Sequence, residues 1–329
     1  MKKVFFAIAI LLVSLASCSK DEGNEVTPTP EPTPEPAPYF KNNPLPVGKE
    51  SVRVLAIGNS YSIDALTYAW TILHDAGLDT ERYSIYIAPR AGASLEFWSE
   101  QYKNDSEQTI YKYAGNLQMP LEKGSLRQLL NQNWDVVIIQ QNAANQADYT
   151  TYQPYIRQLI DGIRASCTNP KVAIAYQMSW SYASTYAPEL NPEEEWEKIR
   201  QAAERVRKED GVIDIIIPCG TAIRNARHSE LQTELDLTRD GRHLAYGVGR
   251  YIVCICWLNT IMSPIFNLNL YGTPSFHHCA RYEEEKNDSF PAAIDVIEEN
   301  YLLCQQCGIV KNEPLELGEA NQGFSNDDN

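Results

Sequence analysis

Beyond its first seventeen residues the chain has no apolar run of membrane-spanning length. The most apolar later stretch, Tyr251 to Leu258, stops after eight residues at Asn259. A helix needs about 20 apolar residues to cross a bilayer, so no later segment is expected to do so. Basic charge is also short: 28 Lys and Arg stand against 43 Asp and Glu, for a formal net charge of −15. A chain of that sign repels phosphate backbones and anionic headgroups, which excludes nucleic acid as an expected partner. A complete disulfide framework is lacking too. Besides Cys18 there are seven cysteines, Cys167, Cys219, Cys254, Cys256, Cys279, Cys304 and Cys307, and an odd number leaves one unpaired. Cys304-x-x-Cys307 and the His277-His278-Cys279 cluster hold soft donors, but one such pair is half of a zinc-ribbon signature. No metal and no cofactor is expected; Cys254 and Cys256 read as small hydrophobes of an apolar helix. Histidine is scarce, with five in the chain.

What the N-terminus does contain sets an expected location. Lys2 and Lys3 precede an apolar run from Val4 to Ala16, too short to be a spanning helix and followed by small residues, so 1–17 reads as a signal peptide. Removing it takes the two lysines away and leaves a net charge of −17. Leu15-Ala16-Ser17-Cys18 resembles the bacterial lipobox, which implies diacylation of Cys18. Cys18-Ser19-Lys20-Asp21-Glu22 resembles the acidic signal that sends some Gram-negative lipoproteins to the cell surface. Residues 18–48 then form a tether: the Thr-Pro-Thr-Pro-Glu-Pro run favours extended polyproline II and buries nothing. The expectation is a folded domain over 49–310 and a polar, acidic tail over 311–329. Contact with the outer membrane would be only through the Cys18 anchor, with the domain exposed on the envelope surface.

Within the domain, short β-branched runs recur at intervals. Val52 to Ile57 stops at Gly58, and Tyr83 to Ile87, Asp135 to Ile139, Val172 to Tyr176 and Val212 to Ile217 repeat the pattern. Helical segments separate them, the clearest being Pro192 to Glu209. Asn191 can cap it, Pro192 suits its first position, acids stand at its start and bases near its end. Trp196, Ile199, Ala203 and Val206 make one apolar stripe on it. Alternation of this kind predicts an α/β fold: a five-stranded parallel sheet between two helical layers. Functional groups in such sheets gather after the carboxyl ends of the strands.

Four segments stand in those places: Gly58-Asn59-Ser60-Tyr61-Ser62, Ala88 to Ser94, Gln140-Gln141-Asn142-Ala143-Ala144-Asn145, and Asp240-Gly241-Arg242-His243-Leu244. A serine hydroxyl must pass its proton to a base as it attacks, and neutral imidazole suits that task. Of the five histidines, His243 alone has an aspartate three residues before it, and Gly241 permits the turn that would aim Asp240 at the ring. In order and spacing the segments resemble the four blocks of the SGNH hydrolase superfamily, most closely a branch of bacterial lipoproteins with Gly-Asn-Ser for the usual Gly-Asp-Ser. The likeness covers most of residues 50 to 262.

The resemblance implies a flavodoxin-like SGNH fold, Ser60 as nucleophile, His243 as base and Asp240 as its partner. It also implies an oxyanion hole made by the backbone N–H of Ser60, the backbone N–H of Gly92 and a side-chain amide after the third strand. Gln141, Asn142 and Asn145 are all candidates for that amide; Gln141 is favoured because the sheet could still position it. Tyr149, Tyr152 and Tyr155 follow the third strand, and Trp180, Tyr182 and Tyr186 the fourth, so a substrate-stacking rim is expected from Tyr149, Tyr152, Trp180 and Tyr182. These features together suggest a serine ester hydrolase that removes O-acetyl or similar groups from extracellular glycans. Lipase or small-ester hydrolysis is the enzymatic rival, and a non-catalytic glycan-binding lipoprotein is the alternative of another class.

Overall fold

All five β-branched segments become parallel neighbours in one sheet. They are β1 (Val52–Gly58), β2 (Tyr83–Pro89), β5 (Val136–Ile139), β6 (Ala173–Gln177) and β7 (Ile215–Ile217), in the spatial order β2-β1-β5-β6-β7. This is the expected α/β fold in a computed structural model that describes residues 45–114, 117–210, 213–232, 236–271, 302–310 and 313–314. The signal, the lipobox, residues 18–44 of the tether, the His277-His278-Cys279 cluster and nearly all of the tail lie outside the described residues. The last four residues expected in the tether, 45–48, instead join the domain, with Leu45 against the core and Gly48 N–H donating to the Ile265 carbonyl at 3.0 Å.

Two further strands were not anticipated. β3 (Glu107–Ala114) and β4 (Leu117–Ser125) form an antiparallel hairpin that extends the sheet beyond β2, making seven strands. Their sequence mixes polar and apolar residues without a regular period, and neither strand has the continuous β-branched run that marks the central strands. A two-residue strand pair, β8 (Ile309–Val310) and β9 (Glu313–Pro314), lies apart from this sheet.

Period-two alternation along the strands divides the core into two faces. Val54, Ala56, Val136, Ile138, Ala173 and Ala175 pack on one side, with α1 (Ser60–Leu66), α2 (Ala69–Asp75), α7 (Cys219–Arg227) and α8 (Val248–Phe266). Leu55, Ile57, Val137, Ile139, Ile174 and Tyr176 pack on the other, with α3 (Leu95–Asn104), α4 (Leu126–Leu130), α5 (Tyr155–Ser166) and α6 (Pro192–Arg205). Both faces of the central strands are therefore covered, giving three layers.

α6 begins as its sequence dictates: Asn191 Oδ1 accepts from the N–H groups of Glu193 and Glu194, and Pro192 occupies the first turn. Its stripe of Trp196, Ile199, Ala203 and Val206 is buried. The regular helix ends at Arg205, and a π-helical turn, Val206–Asp210, follows. By length and mean hydropathy alone α8 would pass for a membrane-spanning helix, although Arg250 and Asn259 interrupt its apolar run, yet all of it but Pro264 and Phe266 is buried in the protein. Each large apolar side chain so buried contributes roughly 1.5–3 kcal/mol, so α8 is a core helix.

The chain runs from β1 outward to β2 and then returns to β5 on the other side of β1. That reversal opens a crevice beyond the carboxyl ends of β1 and β5. Ser60 is the second residue past β1, at its mouth.

Candidate active site

The turn that carries Ser60 is held from below by buried amides. Asn59 caps α1 with its side-chain oxygen on the N–H of Tyr61, while its Nδ2 donates to the carbonyl of Ala93 at 3.0 Å. Gln140 Nε2 donates to the same Asn59 oxygen at 2.5 Å, and Gln177 Nε2 donates to Gln140 Oε1 at 2.7 Å. All three side chains are buried, so the ends of β1, β5 and β6 are tied into one amide chain beneath the serine. Gly58 has no room for a Cβ, which would meet Ser62 Oγ and approach the Gln140 amide to 3.0 Å. The indole of Trp98 donates to the Gly58 carbonyl at 3.1 Å.

His243 arrives on a loop between α7 and α8. Its Nε2 lies 2.9 Å from Ser60 Oγ, and its Nδ1 lies 2.6 Å from Asp240 Oδ2. A carboxylate only accepts, so the proton sits on Nδ1 and leaves Nε2 free to accept from the serine. Asp240 Oδ1 also accepts from the backbone N–H of His243 at 2.7 Å and of Arg242 at 3.1 Å. Partial burial pushes the Asp240 carboxyl up, but the His243 ring and these two N–H groups more than offset it and hold it below the usual carboxylate range. The turn needs Gly241, whose φ is +83° and whose missing Cβ would strike Tyr186.

A buried ion cluster fastens this loop to the helix of the nucleophile. Asp64, one turn after Ser60 on α1, accepts from Arg250 Nη2 at 2.8 Å, Arg239 Nη1 at 3.1 Å and the backbone N–H of Leu244 at 3.0 Å. Arg239 N–H in turn holds the His243 carbonyl at 2.8 Å. Sequence reading missed this clamp. Its signal was a lone acid in an apolar helix and a lone arginine at the head of an apolar run, charges that are rarely buried unless paired.

Ser60, Tyr61 and His243 border a cavity of about 180 Å³ whose other walls are Gly92, Asn142 and Arg242, with Asn59, Ala91 and Ala143 between them. Ser60 N–H is at the first position of α1, where no intrahelical acceptor exists. Gly92, at φ +68°, presents its own N–H; among the described residues neither group has an acceptor within the protein. Asn142 stands beside them, with Nδ2 donating to the Gly92 carbonyl at 3.0 Å and Oδ1 accepting from Asn145 N–H at 3.1 Å. One Nδ2 hydrogen is left over.

The structure places Gln141 elsewhere than expected. It is 1% exposed, and its Oε1 accepts from the N–H groups of Leu95 and Asn142 while its Nε2 donates toward Thr151. The expectation assumed that the chain stays extended past β5; instead it turns at Asn142, which swings that side chain to the mouth and Gln141 into the body. Asn145 lies further along the turn and does not line the cavity.

The aromatic rim also differs from expectation. Tyr152 is fully buried, its hydroxyl 2.8 Å from that of Tyr176. Tyr149 is half-buried, stacked on Tyr152 and lying under the Arg205 guanidinium. Trp180 is fully buried as well, but it serves the site from beneath: its ring stacks on Tyr61 at 4.3 Å and its indole N–H donates to the Arg242 carbonyl at 2.7 Å. Tyr182, half-buried, and Tyr186, 45% exposed, pair with each other at 4.9 Å beside Arg242. Two of the four expected rim residues, Tyr152 and Trp180, thus went to the core, which their area favours. Cys167, Cys219, Cys254, Cys256, Cys304 and Cys307 are free thiols, and among the described residues no group of His, Cys, Asp and Glu is arranged to hold a metal.

Comparison with known proteins bears on the fold and the family. A crystal structure of a DUF4886 family protein from Bacteroides uniformis is 24% identical, with a TM-score of 0.64 over 78% of this chain and 93% of its own. More remote are a putative SGNH hydrolase from Slackia heliotrinireducens (17% identical, TM-score 0.44, 64% of this chain and 98% of its own) and the acetyl xylan esterase AlAXEase (12%, 0.43, 63% and 98%). The functional reading rests on the residues and not on these two likenesses. No curated protein matches. The profile of a domain of unknown function, DUF4886, matches residues 53–278, from β1 through the His243 loop and α8, and the chain therefore belongs to the DUF4886 family.

Proposed function

We propose that this protein is a serine ester hydrolase of the SGNH type that removes small acyl groups, O-acetyl above all, from glycans outside the cell. The observation that carries the reading is the relay of Ser60, His243 and Asp240 at 2.9 and 2.6 Å, opening on a cavity lined by Ser60 and Gly92, whose backbone N–H groups have no acceptor among the described residues. As Ser60 Oγ bonds to the ester carbonyl carbon, its proton passes to His243 Nε2. The carbonyl π pair moves onto oxygen, where the N–H groups of Ser60 and Gly92 and the amide of Asn142 are the donors that meet it. Collapse breaks the bond to the alcohol, which takes the proton from His243. Water then attacks the acyl-serine, gives its proton to His243, and the second collapse returns that proton to Ser60 Oγ and frees the acid.

The cavity supports a short acyl group. At about 180 Å³, between Ala91, Gly92 and Ala143, it falls below the ~300 Å³ at which pockets for drug-sized ligands begin. A panel of acetyl, butyryl and octanoyl esters tests the reading. Wild-type protein should release acetate fastest and Ser60→Ala should release none; preference for octanoyl would favour the lipase alternative.

The N-terminal residues support a lipid anchor at Cys18, in the envelope of a Gram-negative cell, with the Pro-rich segment as spacer. Cys18→Ala should move the protein from the membrane to the soluble fraction with its intrinsic activity unchanged, and a variant that stays membrane-bound would count against the anchor.

A further inference from the structure

Of the residues lining the cavity, Arg242 alone carries a fixed charge. Several of the chain's arginines pair with acids, while Arg53, Arg82 and Arg127 donate to amide or backbone carbonyl oxygens. Arg164 meets Asp214, Arg200 meets Glu197 and Glu204, Arg224 meets Glu193, and Arg239 and Arg250 meet Asp64. Among the described residues no carboxylate pairs with the guanidinium of Arg242. The nearest acid in sequence, Asp240, has both oxygens engaged by the His243 ring and by backbone N–H groups.

Arg242 is exposed, but its backbone is held in place. The Arg242 carbonyl accepts from Trp180 Nε1 at 2.7 Å, and its N–H is bound by Asp240. Its Cζ lies 5.5 Å from the Tyr186 ring centre, with Nη1 3.4 Å from the Tyr186 hydroxyl. Tyr186 packs on Tyr182 behind it. A planar cation at the edge of an otherwise neutral cavity, with Tyr186 beside it, is suited to take a carboxylate through its two-pronged donor edge.

The side of the site on which it sits decides which part of the substrate it reads. Two of the donors to the developing oxyanion, Gly92 and Asn142, are bonded to each other on the loops after β2 and β5, whereas His243 comes in on the loop between α7 and α8. The departing alcohol takes its proton from His243 Nε2 and so leaves on the His243 side. Arg242, the residue before it, comes in on the same loop and lines the same cavity. We propose that Arg242 is a specificity-determining residue that binds a carboxylate on the alcohol portion of the ester. The substrates are then acyl esters of acidic, uronic-type sugars. This inference rests on the hydrolase reading above.

The test compares two esters that differ only in the charged group: methyl glucopyranosiduronic acid and methyl glucopyranoside, each mono-O-acetylated on the ring. At low ionic strength wild-type kcat/KM for the uronide should exceed that for the glucoside by about 10-fold or more, with the ratio falling as salt is added. Arg242→Gln should bring the ratio to about one, and Arg242→Lys should keep part of it. A ratio that Arg242→Gln leaves unchanged, or a wild-type preference for the neutral ester, overturns the proposal. The unacetylated uronide, titrated calorimetrically into wild type and Arg242→Gln, reads the same contact without turnover. Weaker binding to the variant supports the subsite even if neither ester is cleaved, an outcome that would sink the hydrolase reading alone. Equal binding to both overturns the subsite.

Discussion

Asp64 makes no contact with the cavity, yet replacing it should disable the site. Its side chain is 1% exposed and that of Arg250 3%, so Asp64→Ala leaves a buried guanidinium without its counter-charge. Breaking a buried pair from one side costs roughly 3–5 kcal/mol. The Arg239 contact, 19% exposed on the arginine side, adds less. For a domain of this size each kcal/mol shifts the midpoint by about 2–4 °C, so Tm should fall by about 6–20 °C. The same change frees Leu244 N–H and Arg239 from α1, and with them the loop that holds His243 against Ser60. A misplacement of about 1 Å at reacting groups can cost ~10²-fold. At a temperature where both proteins remain folded, kcat for an acetyl ester should therefore drop by about that factor while KM stays near wild type. Asp64→Asn, which keeps the shape and one acceptor, should lose less of both. A positioning role would be refuted by Asp64→Ala with full kcat, and the burial argument by a Tm change below about 2 °C.

Asn142→Ala should lower kcat by ~10²–10³-fold with little change in KM, because its amide acts on charge that exists only in the transition state. Gln141→Ala, whose amide is engaged by Leu95, Asn142 and Thr151, should instead lower stability, read as a urea midpoint; the reverse pattern would mean that the strand-end geometry is misassigned. Asp240→Asn should leave more turnover than His243→Ala, since the loop still presents the ring. The Asp240 carboxyl is held low by its partners, so its contribution to stability is complete above the unfolded-state value of ~3.9 and is lost as pH falls through the lower folded value. Urea midpoints measured against pH should lose that acid-side decline in Asp240→Asn, and an unchanged profile would speak against the pairing.

Much of this was legible because strand ends and motif order are one-dimensional signals. Val52 to Gly58 announces a buried strand and a turn, and Asp240 and His243 lie three residues apart on one loop, so local spacing alone brings them together. What escaped depends on direction in space. Gln141 and Asn142 differ by one residue, and the turn at Asn142 decides which of them faces the cavity. Tyr152 and Trp180 were placed at the correct ends of strands, but the sequence does not say whether a ring turns outward or down into the core. The Asp64–Arg250 pair joins positions 186 residues apart. The hairpin of β3 and β4 lies at the sheet edge, and its mixed polar and apolar sequence lacks the continuous apolar run that marks a central strand.

The central claim is that Ser60 is made nucleophilic by His243. It is tested most directly by a serine-reactive fluorophosphonate, with the adduct located by peptide mass spectrometry. The account predicts one adduct per chain, on Ser60, formed at a rate that falls by orders of magnitude in His243→Ala while the fold is retained. Labelling of wild type on another residue, or equal labelling of Ser60 with and without the His243 imidazole, would contradict it.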